Sequence, residues 1–348
     1  MAHLVAALSG GVDSAVATAR LLADGHDMSA VHLLLQDADG VSTADSARAV
    51  ARALGIPFDV WDLRAEFEAE VLADFAGEYA AGRTPNPCLR CNRAIKFGAL
   101  LDRALAAGFD GLATGHYARL SRRGATVELH RAIDRAKDQS YVLGVLSARA
   151  LAHAWFPLGG STKPDVRAEA ARLGLPVPPG ESMDLCFVPD GDVAAWLGAR
   201  LGERPGEIVD EAGIVLGRHA GTYRFTVGQR KALGLSTPAA DGRPRHVLGV
   251  DATTRTVRVG PRVALRVDTL SCGAPTWCAG APASGGFRAG VQVRAHAPEV
   301  AGIVHVHEGR VTVELDEPVY GVAPGQTAVF YDDTRVVGSA MILGQDAA

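Results

Sequence analysis

The sequence predicts an α/β doubly wound domain over residues 1–202, followed by a half built from short antiparallel strands. Three observations carry this. Strand and helix signals alternate through the first part, the composition changes after Gly202, and the first strand runs into a glycine turn that opens a helix. HLVAAL reads as a buried parallel strand, DSAVATARLLADG as a helix closed by glycine, and SAVHLLL as the second strand. ADSARAVARALG, PFDVWDL and a long acidic helix from Arg64 to about Ala80 continue the alternation. Beyond Gly202 come GEIVD, GIVLG, RHVLGV, TRTVRVG, GVQVRAHAP, GIVHVHE, GRVTVEL and TAVFYDD, each bounded by Gly, Pro or Asp, which is the spacing of sheets or small barrels. This half divides near Asp268, where the valine-rich hairpins give way to Cys272-Gly273-Ala274-Pro275.

The chain has 348 residues, 48% hydrophobic and 21% charged, with a net charge of -4. That is ample for two or three domains with buried cores. There is no run of about 18 apolar residues and no basic segment leading into a hydrophobic signal core, so the expectation is a soluble, cytoplasmic protein with no membrane partner. Near-neutral charge leaves a nucleic-acid partner to a local basic face. Five cysteines, an odd number in a long chain, speak against a secreted disulfide framework and turn attention to catalysis or metal binding. Only four of the 35 basic residues are lysines: Lys96 in AIKFG, Lys137 in AKDQS, Lys163 in GSTKP and Lys231 in GQRKALG. Lysine should survive such a bias where a compact ammonium cannot be replaced by arginine's planar fork.

The turn Ser9-Gly10-Gly11-Val12-Asp13-Ser14 sits where backbone N–H groups and the positive end of a helix dipole converge, which suits phosphate. It is neither G-x-x-x-x-G-K-[ST] nor G-x-G-x-x-G, since no lysine follows the glycines. It resembles the loop of enzymes that split ATP into AMP and pyrophosphate; the bland alternative is a tight turn with Asp13 or Ser14 as a helix cap. In TPNPCLRCNRAIKFG, two prolines fix an extended approach, and Cys88 and Cys91 stand where a helix starts, a location that lowers a thiol pKa. Taken alone, this C-x-x-C fits half a zinc site, a redox pair or two inert thiols. Cys186 lies in ESMDLCFVPDGD, and Cys272 and Cys278 read as buried thiols.

SGGVDS, TPNPCLRCNRAIKF, ATGHYAR, KDQSYVL, FPLG, DLCF, HAGTYRFTVGQRKALGL and GVAPGQTAVFY follow the order found in bacterial tRNA-specific 2-thiouridylases, and the chain resembles that family from about residue 4 to about 331. The resemblance implies a nucleotide-binding domain over 1–202, a small central domain over 203–268 and a C-terminal antiparallel β-barrel over 269–348. It implies ATP, with magnesium expected beside it, bound by Ala7, Leu8, Ser9, Gly10, Gly11, Val12, Asp13, Ser14, Leu33 and Gly115, with Asp13 also counted as catalytic. It makes Cys91 the nucleophile and Cys186 the persulfide carrier, and it sets Asn86, Pro87 and Cys88 near the target base. Contacts to tRNA are implied at His116, Lys137, Asp138, Gln139, Arg294, Ala295 and Gln326. The implied partners are tRNA, with the Lys, Glu and Gln acceptors expected, and a cysteine desulfurase or sulfur-relay protein as donor.

The 2-oxo group of uracil leaves poorly and must be activated at the α-phosphate of ATP, after which a cysteine persulfide can deliver sulfur without releasing sulfide. An iron–sulfur cluster on Cys88, Cys91 and Cys186 is the less favoured alternative, because persulfide transfer needs only two cysteines and no fourth thiol lies nearby. Three departures from the family pattern stand out: Cys88 replaces an acid, Ala295 stands where an aromatic often follows the arginine, and Leu8 replaces a methionine. The competing readings are another ATP-pyrophosphatase acting on tRNA and an idle tRNA-binding or sulfur-relay protein. An idle protein would have no chemical need for SGGVDS, Cys91 and Cys186 together.

Overall fold

In the computed structural model, residues 1–36, 42–124, 126–178, 185–188, 191–235, 242–282 and 285–344 are described. A five-stranded parallel sheet of order β3-β2-β1-β4-β7 organises the first part. Its strands β1 (His3–Ala7), β2 (Asp27–Leu34) and β3 (Phe58–Asp62) alternate with helices α1 (Val12–Ala23) and α2 (Ser42–Leu54). Leu4, Val5 and Ala6 at the centre of β1 are almost wholly buried, as befits a strand covered on both faces. The acidic helix α3 runs over 64–80 as expected, and α4 over 87–106 carries the cysteine pair. β4 (Gly111–Ala113) lies on the other side of β1, and β7 (Ala154–Trp155) completes the sheet. Short helix α5 (Ser140–Leu143) precedes β7, and α6 (Lys163–Arg172) and α7 (Val193–Leu201) follow it.

The central unit is a four-stranded sheet of β8 (Gly206–Val209), β9 (Val215–His219), β10 (His246–Asp251) and β11 (Thr256–Gly260) around Ile208, Val247, Val257 and Val259. The last unit is a large antiparallel sheet: β12 (Arg266–Cys272), β13 (Thr276–Trp277), β14 (Phe287–Gln292), β15 (Val300–His307), β16 (Arg310–Tyr320), β17 (Thr327–Asp332) and β18 (Arg335–Met341). Asp268 falls inside β12, the strand at one edge of this sheet. At the other end the sheet recruits a hairpin from the first domain, β5 (Ala118–Arg123) and β6 (Thr126–Arg131). β6 pairs antiparallel with β18 through Arg335↔His130 and Val336↔Leu129. Sequence reading passed over ARLSRR and TVELHR: the first is mostly polar, and the second alternates through only two apolar residues, the buried Val127 and Leu129. Of ESMDLCFVPDGD only 185–188 and 191–192 are described, and 345–348 of the expected third domain also lie outside the described residues. Among the described residues, no helix is long and apolar enough to cross a membrane.

Candidate active site

The phosphate-loop candidates converge at the carboxyl end of β1. Leu8 is buried; its N–H donates to Val31 O at 2.9 Å and its carbonyl lies 2.9 Å from His32 Nδ1, which anchors the loop to β2. Gly10 has φ +81, and a Cβ there would lie 2.7 Å from Ser46 Cβ on α2, so the loop passes where only glycine fits. Gly11 is the residue before α1 and makes no side-chain cap, so neither Asp13 nor Ser14 serves as one. Two hydroxyls close the loop instead: Ser14 Oγ donates to Gly11 O at 3.1 Å and accepts from Ser9 N–H at 3.3 Å, while Ser9 Oγ accepts from Gly11 N–H at 3.3 Å. The N-terminal turn of α1 thus begins behind a preformed loop, an arrangement that attracts an anion.

Gly115 comes against the same turn, and a Cβ on it would stand 2.7 Å from Asp13 C and Ser14 N. That close approach brings Tyr117 to Asp13, its hydroxyl donating to Oδ1 at 2.8 Å. Burial, reinforced by the Asp13 carboxylate, pushes the Tyr117 phenol far up, so it stays a donor. Lys163 Nζ donates to both Asp13 oxygens at 2.7 Å. Ala7 and Leu33, at the ends of β1 and β2, pack against the main core beneath the loop.

On the cysteine side, Asn86 Oδ1 accepts from Cys88 N–H at 3.0 Å and Pro87 opens α4, a capped start that leaves Cys88 in its first turn. Cys91 begins a widened π-type stretch, Cys91–Leu100, and packs against the core. The thiol pKa lowering expected from a helix start fails here. Burial pushes the Cys91 thiol up, and the Lys96 ammonium only partly opposes it. Lys96 Nζ also lies 3.5 Å from His116 Nε2, whose Nδ1 is 2.7 Å from Thr114 Oγ1. His116 is buried beside Phe97 and Phe156; burial, then Lys96, holds it well below the usual histidine range and neutral. Cys186 is exposed between Leu185 and Phe187, and Phe187 locks onto Phe75 and Trp196 at ring distances of 5.3 Å. Leu185 and Cys91 therefore rest on one core cluster, which sets both cysteine segments on a common base. All five cysteines are thiols. Cys272 and Cys278 are buried and pushed up to about 12, as suits inert packing.

Among the described residues, no group of three or more His, Cys, Asp and Glu side chains could hold a metal ion, so Cys88, Cys91 and Cys186 do not fit a cluster site as they stand. Lys163 Nζ holds both Asp13 oxygens, so magnesium would arrive on the nucleotide phosphates rather than be caged by this carboxylate.

The expected tRNA contacts divide into two groups. Lys137 lines a cleft of about 680 Å³ with Arg135, Lys163, Arg167 and Asp134, a basic wall next to the phosphate loop. Asp138 and Gln139 are instead tied into the fold. Asp138 accepts from Arg131, Ser140 and the Ala132 N–H, and Gln139 Oε1 accepts from Tyr117 N–H at 2.9 Å. Arg294 and Ala295 present carbonyls to Gln292 Nε2, and Gln326 Nε2 donates to Thr84 O at 2.5 Å. Sequence reasoning assigned no role to Tyr117, Lys96, Lys163 or Arg131. The scarcity of lysine was the one signal pointing at two of them.

A parallel α/β sheet with a closed phosphate loop at the end of its first strand defines the class, an α/β nucleotide-binding protein with two β-rich domains appended. Residues 2–190 match the tRNA methyl transferase HUP domain, 194–261 the tRNA methyl transferase PRC-barrel domain and 267–342 the aminomethyltransferase beta-barrel domain. The chain is 54% identical to the tRNA-specific 2-thiouridylase MnmA of Acidothermus cellulolyticus, covering 98% of this chain and 97% of the relative. It is 53% identical to that of Streptomyces avermitilis (98% and 94%) and 50% identical to that of Mycolicibacterium smegmatis (98% and 99%). The chain belongs to the tRNA-specific 2-thiouridylase MnmA family.

Proposed function

We propose that this protein is a tRNA-uridine 2-sulfurtransferase that spends ATP to replace the 2-oxygen of a wobble uridine with sulfur. The observation that carries the reading is identity of 50–54% to 2-thiouridylases over almost the whole chain. The loop of Ser9 to Ser14 receives the phosphates of ATP, and the uracil O2 attacks the α-phosphorus as pyrophosphate leaves. The terminal sulfur of a Cys186 persulfide then attacks C2, and AMP departs with the former O2. Cys91, as thiolate, attacks the Cys186 sulfur and breaks the S–S bond, leaving sulfur on the uridine and a Cys91–Cys186 disulfide that an external thiol reduces. Neutral, buried His116 and the half-buried Lys96 ammonium beside it supply proton-carrying groups near Cys91. The sulfur donor is a cysteine desulfurase or relay protein, the acceptors are tRNAs reading Lys, Glu and Gln codons, and the reaction belongs to the cytoplasm. The basic cleft at Arg135, Lys137 and Arg167 supports phosphate contacts, so affinity for tRNA falls steeply with salt.

The test is mass spectrometry of wobble nucleosides after incubation with tRNA, ATP and a cysteine desulfurase. The expected result is 2-thiouridine with AMP and pyrophosphate in equal amounts. ADP as the main product, or unmodified tRNA, would overturn it.

A further inference from the structure

The loop Ser9-Gly10-Gly11 lacks the lysine that follows the glycines in G-x-x-x-x-G-K-[ST] loops. The fold brings an ammonium to the same place from 150 residues further along the chain. Lys163 opens α6, and its backbone N–H donates to Asp134 Oδ2 at 2.9 Å. Thr162 and Asp165 form a reciprocal cap around it. The residue is only 8% exposed, yet Nζ reaches both oxygens of Asp13 at 2.7 Å and stands 5.8 Å from the Tyr117 ring centre. Arg20 ties α1 to α6, bonding Glu169 at 2.6 Å, Pro157 O at 2.9 Å and Ser161 at 2.8 Å, so the helices bearing Asp13 and Lys163 are held in register.

In a chain that uses arginine at nearly every basic position, a buried lysine on a carboxylate marks a place where the wide guanidinium does not fit. The electrostatics give it a task. A bare Asp13 carboxylate in the first turn of α1 would repel incoming phosphates, and an ammonium on both its oxygens removes that repulsion while fixing its direction. We propose that Lys163 is a positioning residue of the phosphate loop, acting through Asp13 during activation of the uridine. This rests on the ATP-dependent reading above.

The test is AMP formation by the full chain with tRNA and ATP, comparing Lys163→Met, Lys163→Arg, Asp13→Asn and the double variant Asp13→Asn/Lys163→Met. Lys163→Met is expected to lower kcat about 100-fold with KM for ATP within about threefold, and Lys163→Arg to recover only part of the loss. Because Lys163 works through Asp13, the double variant should be no slower than Asp13→Asn alone. A kcat for Lys163→Met within threefold of wild type, full rescue by arginine, a change confined to KM, or multiplying losses in the double variant would each overturn the proposal. Should Lys163→Met fail to fold, the Asp13→Asn pair, which leaves no unpaired carboxylate, decides the same question. A wild-type protein that forms no AMP would instead remove the adenylation reading and this role with it.

Discussion

The phosphate loop and the cysteine helix are held in opposite ways. Hydroxyls and backbone within a few residues close the loop, with Lys163 and Tyr117 added from the same domain. The approach to α4 depends on the C-terminal domain: Thr84 N–H donates to Pro324 O at 2.8 Å, Gln326 binds the Thr84 carbonyl, and Tyr141 Oη donates to Thr327 O at 2.9 Å. Asn92 Nδ2 then bonds Val142 O at 3.0 Å, passing that constraint into the helix that begins at Pro87. The phosphate-loop region is thus built within its own domain, whereas the cysteine helix, which handles sulfur in the proposed reaction, is braced by a domain two hundred residues away in sequence. Damage to that brace should separate the two half-reactions.

The largest separation is expected from Cys91→Ser. Thiolation should fall at least ~1000-fold, read as 2-thiouridine by mass spectrometry, while AMP formation continues, since the phosphate loop is held by Ser9, Ser14, Tyr117 and Lys163. Equal loss of both would mean that the two regions act as one.

Arg131→Ala should come next, and it strikes the brace. Its guanidinium bonds Asp138 at 3.1 Å, Glu299 at 2.6 Å and Gln292 at 3.1 Å and lies 3.4 Å from the centre of the Tyr331 ring, joining β6 to β14, β17 and the segment before β15. Asp138, with its side chain only 6% exposed, would lose the guanidinium that faces it, at a cost of about 3–5 kcal/mol. Urea unfolding measures the loss, and thiolation should suffer more than AMP formation.

The contrast explains what the sequence revealed. SGGVDS was legible because a strand, two glycines and a hydroxyl make the loop by themselves, and α3 was legible because its acidic periodicity is continuous over 64–80. The β5–β6 hairpin was not, since its apolar signal is only Val127 and Leu129, buried in a core assembled from distant segments, and its outer edge pairs with β18 two hundred residues away. Cys91 was placed at a helix start, but the helix-end effect loses to burial against a core assembled from distant segments, which no local pattern encodes. Likewise Asp138 looks like a surface charge in AKDQS until Arg131 folds onto it.

Acid should expose the burial of His116, which lies beside Lys96 near Cys91. Unfolded His116 titrates near 6.5 and the folded residue well below it, so as pH falls past 6.5 the unfolded chain takes up a proton that the folded chain refuses. Stability therefore declines with acid by about 1.4 kcal/mol per pH unit until the folded value is reached, and is unaffected by His116 above the unfolded value. His116→Gln should remove this part of the slope in unfolding measured between pH 5 and about 6.5, leaving the smaller contribution of His219, which burial also depresses. An unchanged slope would mean that His116 is protonated in the fold.

The smallest expected effect tests the brace most directly. The resemblance assigns Gln326 to tRNA, yet its side-chain amide nitrogen is committed to Thr84 O, two residues before the Asn86 cap of α4. A role through Thr84 predicts that Gln326→Ala costs about 1 kcal/mol of stability, the net value of one hydrogen bond whose acceptor can turn to water. Since Pro324 O still receives the Thr84 N–H, the segment should loosen rather than detach. Thiolation should then fall several-fold, AMP formation should stay within about twofold, and tRNA affinity at fixed salt should stay within about threefold. A large loss of tRNA affinity with undisturbed stability would reverse the assignment, making Gln326 a contact of the RNA and leaving the Pro324 and Thr327 carbonyls to tie the C-terminal domain to the cysteine helix.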